Sequence, residues 1–244
     1  MLQHLKQKGR YRELNNRNRN NSHILYSVGR CNKKYPAIFY LVAYIWCGAV
    51  ILYFNLGYNH KFPEWFNKYF MDFFGRGTFT TATFMVVMFL GVITKHNKVS
   101  RKLMSARGEI SIIGSLLTLS HNVVFGILYF PMVFTNPQAM PVRHLIASII
   151  TLCLMAMLIP LFITSFKSVQ QKMNGKTWKR IQRMAYPFFI GIYVHVMVLY
   201  TANIKSHMTE IIVYTVIYAS YVILRLRKAV LKSKKAKAKI AQMV

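Results

Sequence analysis

The sequence predicts an all-α, polytopic membrane protein: a six-transmembrane-helix bundle with both termini cytoplasmic. Three observations carry that expectation. Over 244 residues, 54% are hydrophobic and mean hydropathy is +0.28, too apolar for a soluble domain of this size. Six apolar runs approach or exceed the roughly 20 residues that a helix needs to cross a bilayer core of about 30 Å. The charge follows those runs. Of 33 Lys and Arg, all but Lys61, Lys68, Arg76, Arg143 and Lys205 fall in residues 1–36, 95–109, 167–183 and 225–244. Alternate segments are thus basic, which by the positive-inside rule puts both ends in the cytoplasm. The net charge of +28 then reports topology, and no nucleic-acid partner is expected from it.

Residues 1–36, with the run NNRNRNN, are too polar to bury a core and unlike a cleavable signal, and read as a basic mobile cytosolic arm. The transmembrane domain occupies 37–226, with spans near 37–57, 77–94, 110–134, 144–166, 184–202 and 209–226. Ahead of the second span, FPEWFNKYFMDFFG reads as a short amphipathic helix along the outer interface. Residues 227–244, containing KSKKAKAK, form a basic cytosolic tail suited to anionic membrane lipid, at about 1 kcal/mol per base, or serving only as a solvated flank. Cys31, Cys47 and Cys153 lack CxxC spacing and read as packing residues. There is no GxGxxG or Walker A run, so a nucleotide or flavin dehydrogenase module is expected on another polypeptide.

Two histidines stand out. His4, His23, His60, His96, His144 and His207 fall in the arm, in loops or at span ends, whereas His121 and His195 lie within spans three and five. Polar side chains there are costly and usually face a bundle interior or bind something. Counting from Ile110 and Met184, each lies 11 residues in, about 16 Å from the cytosolic edge. Imidazoles at matched depth on parallel helices can face one another. With no carboxylate or thiolate beside them, they suit a haem iron, which takes two axial imidazoles, better than a zinc or di-iron cage. Thr118, Gly114 and Ser111 form a small-residue stripe before His121, and Gly191 stands four residues before His195. Such faces admit either a porphyrin or a closely packed helix. A proton relay is the other use of buried histidines, but no intramembrane Asp or Glu continues one. Glu109 sits at the cytosolic mouth, where capping or ion pairing accounts for it.

Four segments in order carry a resemblance: RGEIS at 107–111 followed by His121, IPLFITS at 159–165, NGKTWKRIQRMAY at 174–186, and then His195. Over roughly residues 65–203 the chain resembles the ferric reductase-like transmembrane domain family, particularly its MsrQ (YedZ) branch, related to the haem-bearing core of NADPH oxidases. The oxidase-like members carry two histidines on each of spans three and five, and so two b haems. Here the inner positions are Arg107 and Gln182. The resemblance therefore implies a single haem b, on the outer-leaflet side of centre, with His121 and His195 as axial ligands. It implies an inner site that is lost or altered at Arg107 and Gln182, where a flavin (FMN) or quinone headgroup is one reading and interfacial snorkelling another. Pro187, between Gln182 and His195, should bend span five.

The function so implied is that of a membrane cytochrome in the cell membrane, an electron-transfer subunit of an oxidoreductase system. A cytosolic flavin reductase using NAD(P)H or a membrane quinol would be the donor. The acceptor would be an extracytoplasmic methionine sulfoxide reductase-like protein, a flavoprotein or ferric iron. The alternative is a haem-free membrane carrier or scaffold with a vestigial ferric-reductase-like fold. Arg143, His144, Lys205 and His60 are expected at the outer edge, where haem propionates would point.

Overall fold

The computed structural model describes residues 35–58, 61–93 and 97–241, which are helical with no strand among them. The arm expected over 1–36 lies almost wholly outside the described residues, as does His60. The chain divides into two compact units, residues 1–42 and 43–244. Of the first, the described part is the opening turns of helix α1, Tyr35–Asn55. The second holds the rest of α1 and every later helix.

Five helical segments are long and apolar enough to cross a membrane, and a sixth qualifies if one bent pair counts as a single span. The bent pair is α2, Glu64–Gly75, and α3, Thr78–Val92, which meet at 45°. α2 contains a five-residue π turn, Asn67–Met71. α3 has 15 residues and a length of about 22 Å, too short to cross unaided. The sequence places a full second span near 77–94 with the aromatic segment as a separate interfacial helix. In the structure that segment runs into the short helix through the 45° bend, and only the two together reach spanning length. The break falls at Gly77, whose φ of +77° is open to glycine at no steric cost.

α4, Lys98–Ser105, begins on an Asn97 cap whose side chain accepts from the Ser100 amide. α5, Arg107–Thr135, and α6, Val142–Ser165, are each long and apolar enough to cross a membrane. A short α7, Lys167–Lys172, leads to α8, Gly175–Gln182, capped by Asn174, and to α9, Ala185–Tyr200. Between α8 and α9 the hydrogen bonding tightens, Met184 N–H reaching only to Ile181 O at 2.8 Å. Pro187 cannot donate to the carbonyl four residues back, and this is where α8 gives way to α9.

The last helix, α10, runs without a break over Met208–Ala241. The boundary that the sequence places at 226 marks a change of composition and not of structure, because the Lys and Ala that follow are strong helix formers.

α6 packs against both α5 and α9, and α3 packs against α5 and α10. The buried core gathers Phe84 and Met88 of α3, Leu154, Leu158 and Leu161 of α6, Phe188 and Phe189 of α9, and Tyr218 and Tyr221 of α10. Leu52, Ile127, Leu128 and Ile223 stay exposed, as lipid-facing side chains of a span do. Hydroxyls inside the spans bond to their own helices: Thr83 to Phe79 O, Thr118 to Gly114 O, Thr164 to Pro160 O and Ser165 to Leu161 O. Without water this local bond is how a Ser or Thr is satisfied.

Candidate functional site

α6 stands between α5 and α9, so the two histidine-bearing helices are held apart and a cavity of about 820 Å³ opens beside them. That volume lies in the range of small-molecule and cofactor sites. His121 and His195 both line it, with ring centroids 6.5 Å apart and planes at 84°. Phe84, Phe125, Leu154, Leu158 and Phe188 form apolar walls, and Thr80, Thr81, Thr118, Asn122, Ser148 and Thr151 are among its polar groups.

Each imidazole is oriented from behind. Nδ1 of His121 lies 2.9 Å from Gly75 O, and since a carbonyl only accepts, this nitrogen carries the proton. Gly77 lies against the same ring: a Cβ built on it would stand 3.2 Å from His121 Cγ. The break between α2 and α3 thus supplies both the acceptor and the room for the ring. Nδ1 of His195 lies 3.2 Å from Ala147 O and 3.2 Å from Thr151 Oγ1, both on α6. In the neutral rings these bonds leave Nε2 unprotonated on both histidines, the form in which imidazole binds a metal. Neither Nε2 has a hydrogen-bond partner among the described residues.

The mouth of the cavity is polar and carries charges of both signs. Arg76, Arg143, His144 and His207 line it, with Asp72 and Glu210. Asp72 is taken by Arg76 at 2.8 Å, and Arg143 Nε–H donates to His144 Nε2 at 3.3 Å. Two imidazoles stack on tyrosines here, His144 on Tyr129 at 5.2 Å and His207 on Tyr200 at 4.8 Å. Of the groups expected at the outer edge, Arg143 and His144 line the cavity and Lys205 does not.

The remaining sequence candidates separate. Thr118 lines the cavity. Gly114 does not: its Cα face meets Thr83 of α3, where an added Cβ would stand 3.1 Å from Cγ2. Gly191 likewise meets Leu154, 2.7 Å from Cδ2. For these two, close helix packing accounts for the small residue. Arg107 and Gln182 also lie outside the cavity lining and belong to different groups. Gln182 donates to Thr164 Oγ1 at 2.9 Å, beside Trp178 Nε1–H, which donates to Thr164 O at 3.0 Å. Arg107 lies near Gly91 of α3. Glu109 is ion-paired with Lys167 at 2.6 Å. Cys47 and Cys153 are free thiols.

Gly75, Gly77, Ala147 and Thr151 are the site residues that the sequence does not single out. The Gly-Arg-Gly run at 75–77 and a lone Thr mid-way in span four are the available signals. Among the described residues no group of three or more His, Cys, Asp or Glu gathers, so the donor set is a pair of imidazoles and unlike a closed four-ligand zinc site.

No protein-family model and no solved structure matches the chain. An uncharacterized protein of Treponema pallidum (strain Nichols) is 35% identical over 163 residues, which is 65% of this chain and 45% of that protein. The chain thus spans less than half the length of the curated relative it matches.

Proposed function

We propose that the protein is a b-type cytochrome of the cell membrane, with six spans and cytoplasmic termini, that binds one haem through His121 and His195. The observation that carries this reading is the pair of Nδ1-anchored imidazoles on one cavity, 6.5 Å apart. Two imidazoles sharing one iron, with metal–nitrogen bonds of about 2 Å, would have centroids roughly 6 Å apart. The cavity is large enough for a porphyrin, and much of its lining is apolar. The resemblance to the ferric reductase-like transmembrane domain points the same way.

When bound, haem would supply reversible one-electron chemistry at iron. The chain's own residues do the rest. Gly75 O and Ala147 O hold the two rings in the tautomer that leaves Nε2 free. Phe84, Leu154, Leu158 and Phe188 give the cavity apolar walls. Arg143 and His144 would meet propionate carboxylates at the mouth, as charge-assisted donors. With both imidazoles engaged in holding the group, donor and acceptor would need only to approach the cavity edge. The donor is then a separate flavin reductase or a membrane quinol, and the acceptor a redox protein, flavin or ferric iron beyond the membrane.

An absorption spectrum of the purified protein tests this. The expected result is a Soret band with split visible bands on reduction, lost in His121→Ala and in His195→Ala. A protein that stays colourless after expression with ample haem defeats the proposal and favours a carrier or scaffold.

A further inference from the structure

Far from the cavity mouth, Lys228 and Arg107 meet at the last turn of α3, and Arg225 stands about one turn before Lys228 on α10. Lys228 Nζ donates to Gly91 O at 2.8 Å and reaches Ile93 O at 3.4 Å. The Arg107 guanidinium lies against the same glycine, its nitrogens 3.5 Å from where a Gly91 Cβ would stand. Arg225 lies over the Tyr186 ring, 4.3 Å from its centroid. Tyr221, Arg225 and Lys228 are spaced i, i+4, i+7, so one stripe of α10 carries them. All three cations are half-buried, whereas neighbouring Arg227 is exposed.

No acid among the described residues answers them. The acids among the described residues are Glu64, Asp72, Glu109 and Glu210. Asp72 pairs with Arg76, and Glu64 lines the same outer pocket as that pair. Glu109 pairs with Lys167. Glu210 precedes Arg225 by about 22 Å along α10. The carbonyl end of α3 offers roughly half an elementary charge against three whole ones. Half-buried like charges at the end of a membrane bundle are unfavourable unless an anion joins them. Two planar guanidinium forks and an ammonium are the donor set that phosphate takes.

The geometry points to a phosphate-binding site built by Arg107, Arg225 and Lys228 where α3, α5, α9 and α10 meet. The phosphate belongs either to an anionic phospholipid headgroup or to a soluble ligand. Arg107 is about 21 Å from His121 along α5, so this site stands or falls independently of what the histidine cavity holds.

Thermal unfolding of the delipidated full-length protein in neutral detergent tests it, with phosphatidylglycerol, phosphatidylcholine or inorganic phosphate added. A rise in Tm with phosphatidylglycerol and not phosphatidylcholine identifies a lipid headgroup. A rise with millimolar inorganic phosphate identifies a soluble ligand. In either case the Arg107→Gln/Arg225→Gln variant should need at least tenfold more of the anion, and Arg227→Gln should respond as wild type does. Without added anion the double variant should unfold no earlier than wild type, since it has lost like charges. Should it not fold, Arg107→Lys serves instead: the charge is kept, the fork is lost and weaker affinity is expected. No response in any arm, a response unchanged in the variants, or a loss of stability that is equal with and without anion overturns the site.

Discussion

Thr151 Oγ1 stands 3.2 Å from Nδ1 of His195 while its own proton goes to Ala147 O, 2.8 Å away. One turn of α6 therefore presents two acceptors to a single ring nitrogen. Groups behind a metal-binding histidine fix its orientation, and removing one typically weakens metal affinity 10- to 100-fold. Because Ala147 O remains, Thr151→Val is expected at the low end, about tenfold weaker haem binding. Thr151→Ser should bind as wild type does. Titration of haem into the haem-depleted protein, followed at the Soret band, reads both. Equal affinity for the valine variant would show that the hydroxyl does not orient the ring.

Gly77→Ala acts on the other histidine from its far side. The backbone there is left-handed, which costs a residue with a Cβ about 1–2 kcal/mol, and the new methyl would press on the His121 ring at 3.2 Å. The expected outcome is a destabilisation of about 2 kcal/mol, with haem retention reduced alongside. Gly175→Ala is the control. Gly175 has ordinary backbone and open space around it, and alanine is the better helix former. Thermal unfolding in detergent should separate the two variants, and equal stability would remove the argument from strain.

These two positions also show what is legible in the sequence. The long spans can be read because lipid imposes a length and composition on them: 110–134 is expected where α5 is Arg107–Thr135, and 144–166 where α6 is Val142–Ser165. The expectation that His121 and His195 lie at one level rests on the same ground, since rise per residue is fixed, and the two rings stand 6.5 Å apart. The partners of those rings cannot be read. Gly75 is 46 residues from His121 and Ala147 is 48 from His195, and backbone carbonyls carry no sequence signature. Gly114 and Gly191 are ambiguous in sequence because their use depends on what faces them, and only the fold puts Thr83 and Leu154 there. The short α3 is hidden because hydropathy does not show where a helix bends.

Gly191 yields a packing test of that last distinction. A Cβ there would meet Leu154 Cδ2 at 2.7 Å, which the leucine must avoid by leaving its rotamer in a buried site. Gly191→Ala is expected to destabilise by about 1–3 kcal/mol, the usual range for overpacking. Adding Leu154→Val should recover part of that loss, because the shorter side chain lacks the offending methyl. A double variant no more stable than Gly191→Ala alone would mean that the two side chains do not share the space.

Tyr218 offers a change in the opposite direction. It is 3% exposed, stacks on Phe189 at 4.4 Å and lies 4.9 Å from the Tyr193 ring. Its hydroxyl is buried and has no hydrogen-bond partner among the described residues. A buried hydroxyl without a partner costs about 1–3 kcal/mol of desolvation, and phenylalanine keeps the ring while removing it. Tyr218→Phe should therefore raise stability by about 1 kcal/mol. Tyr193→Phe, in the same aromatic cluster, should do the reverse, because its hydroxyl bonds to Thr215 Oγ1 at 3.1 Å and that bond would be lost. Unfolding curves of the two variants beside wild type decide the matter, and a loss of stability in Tyr218→Phe would falsify it by revealing a partner for that hydroxyl.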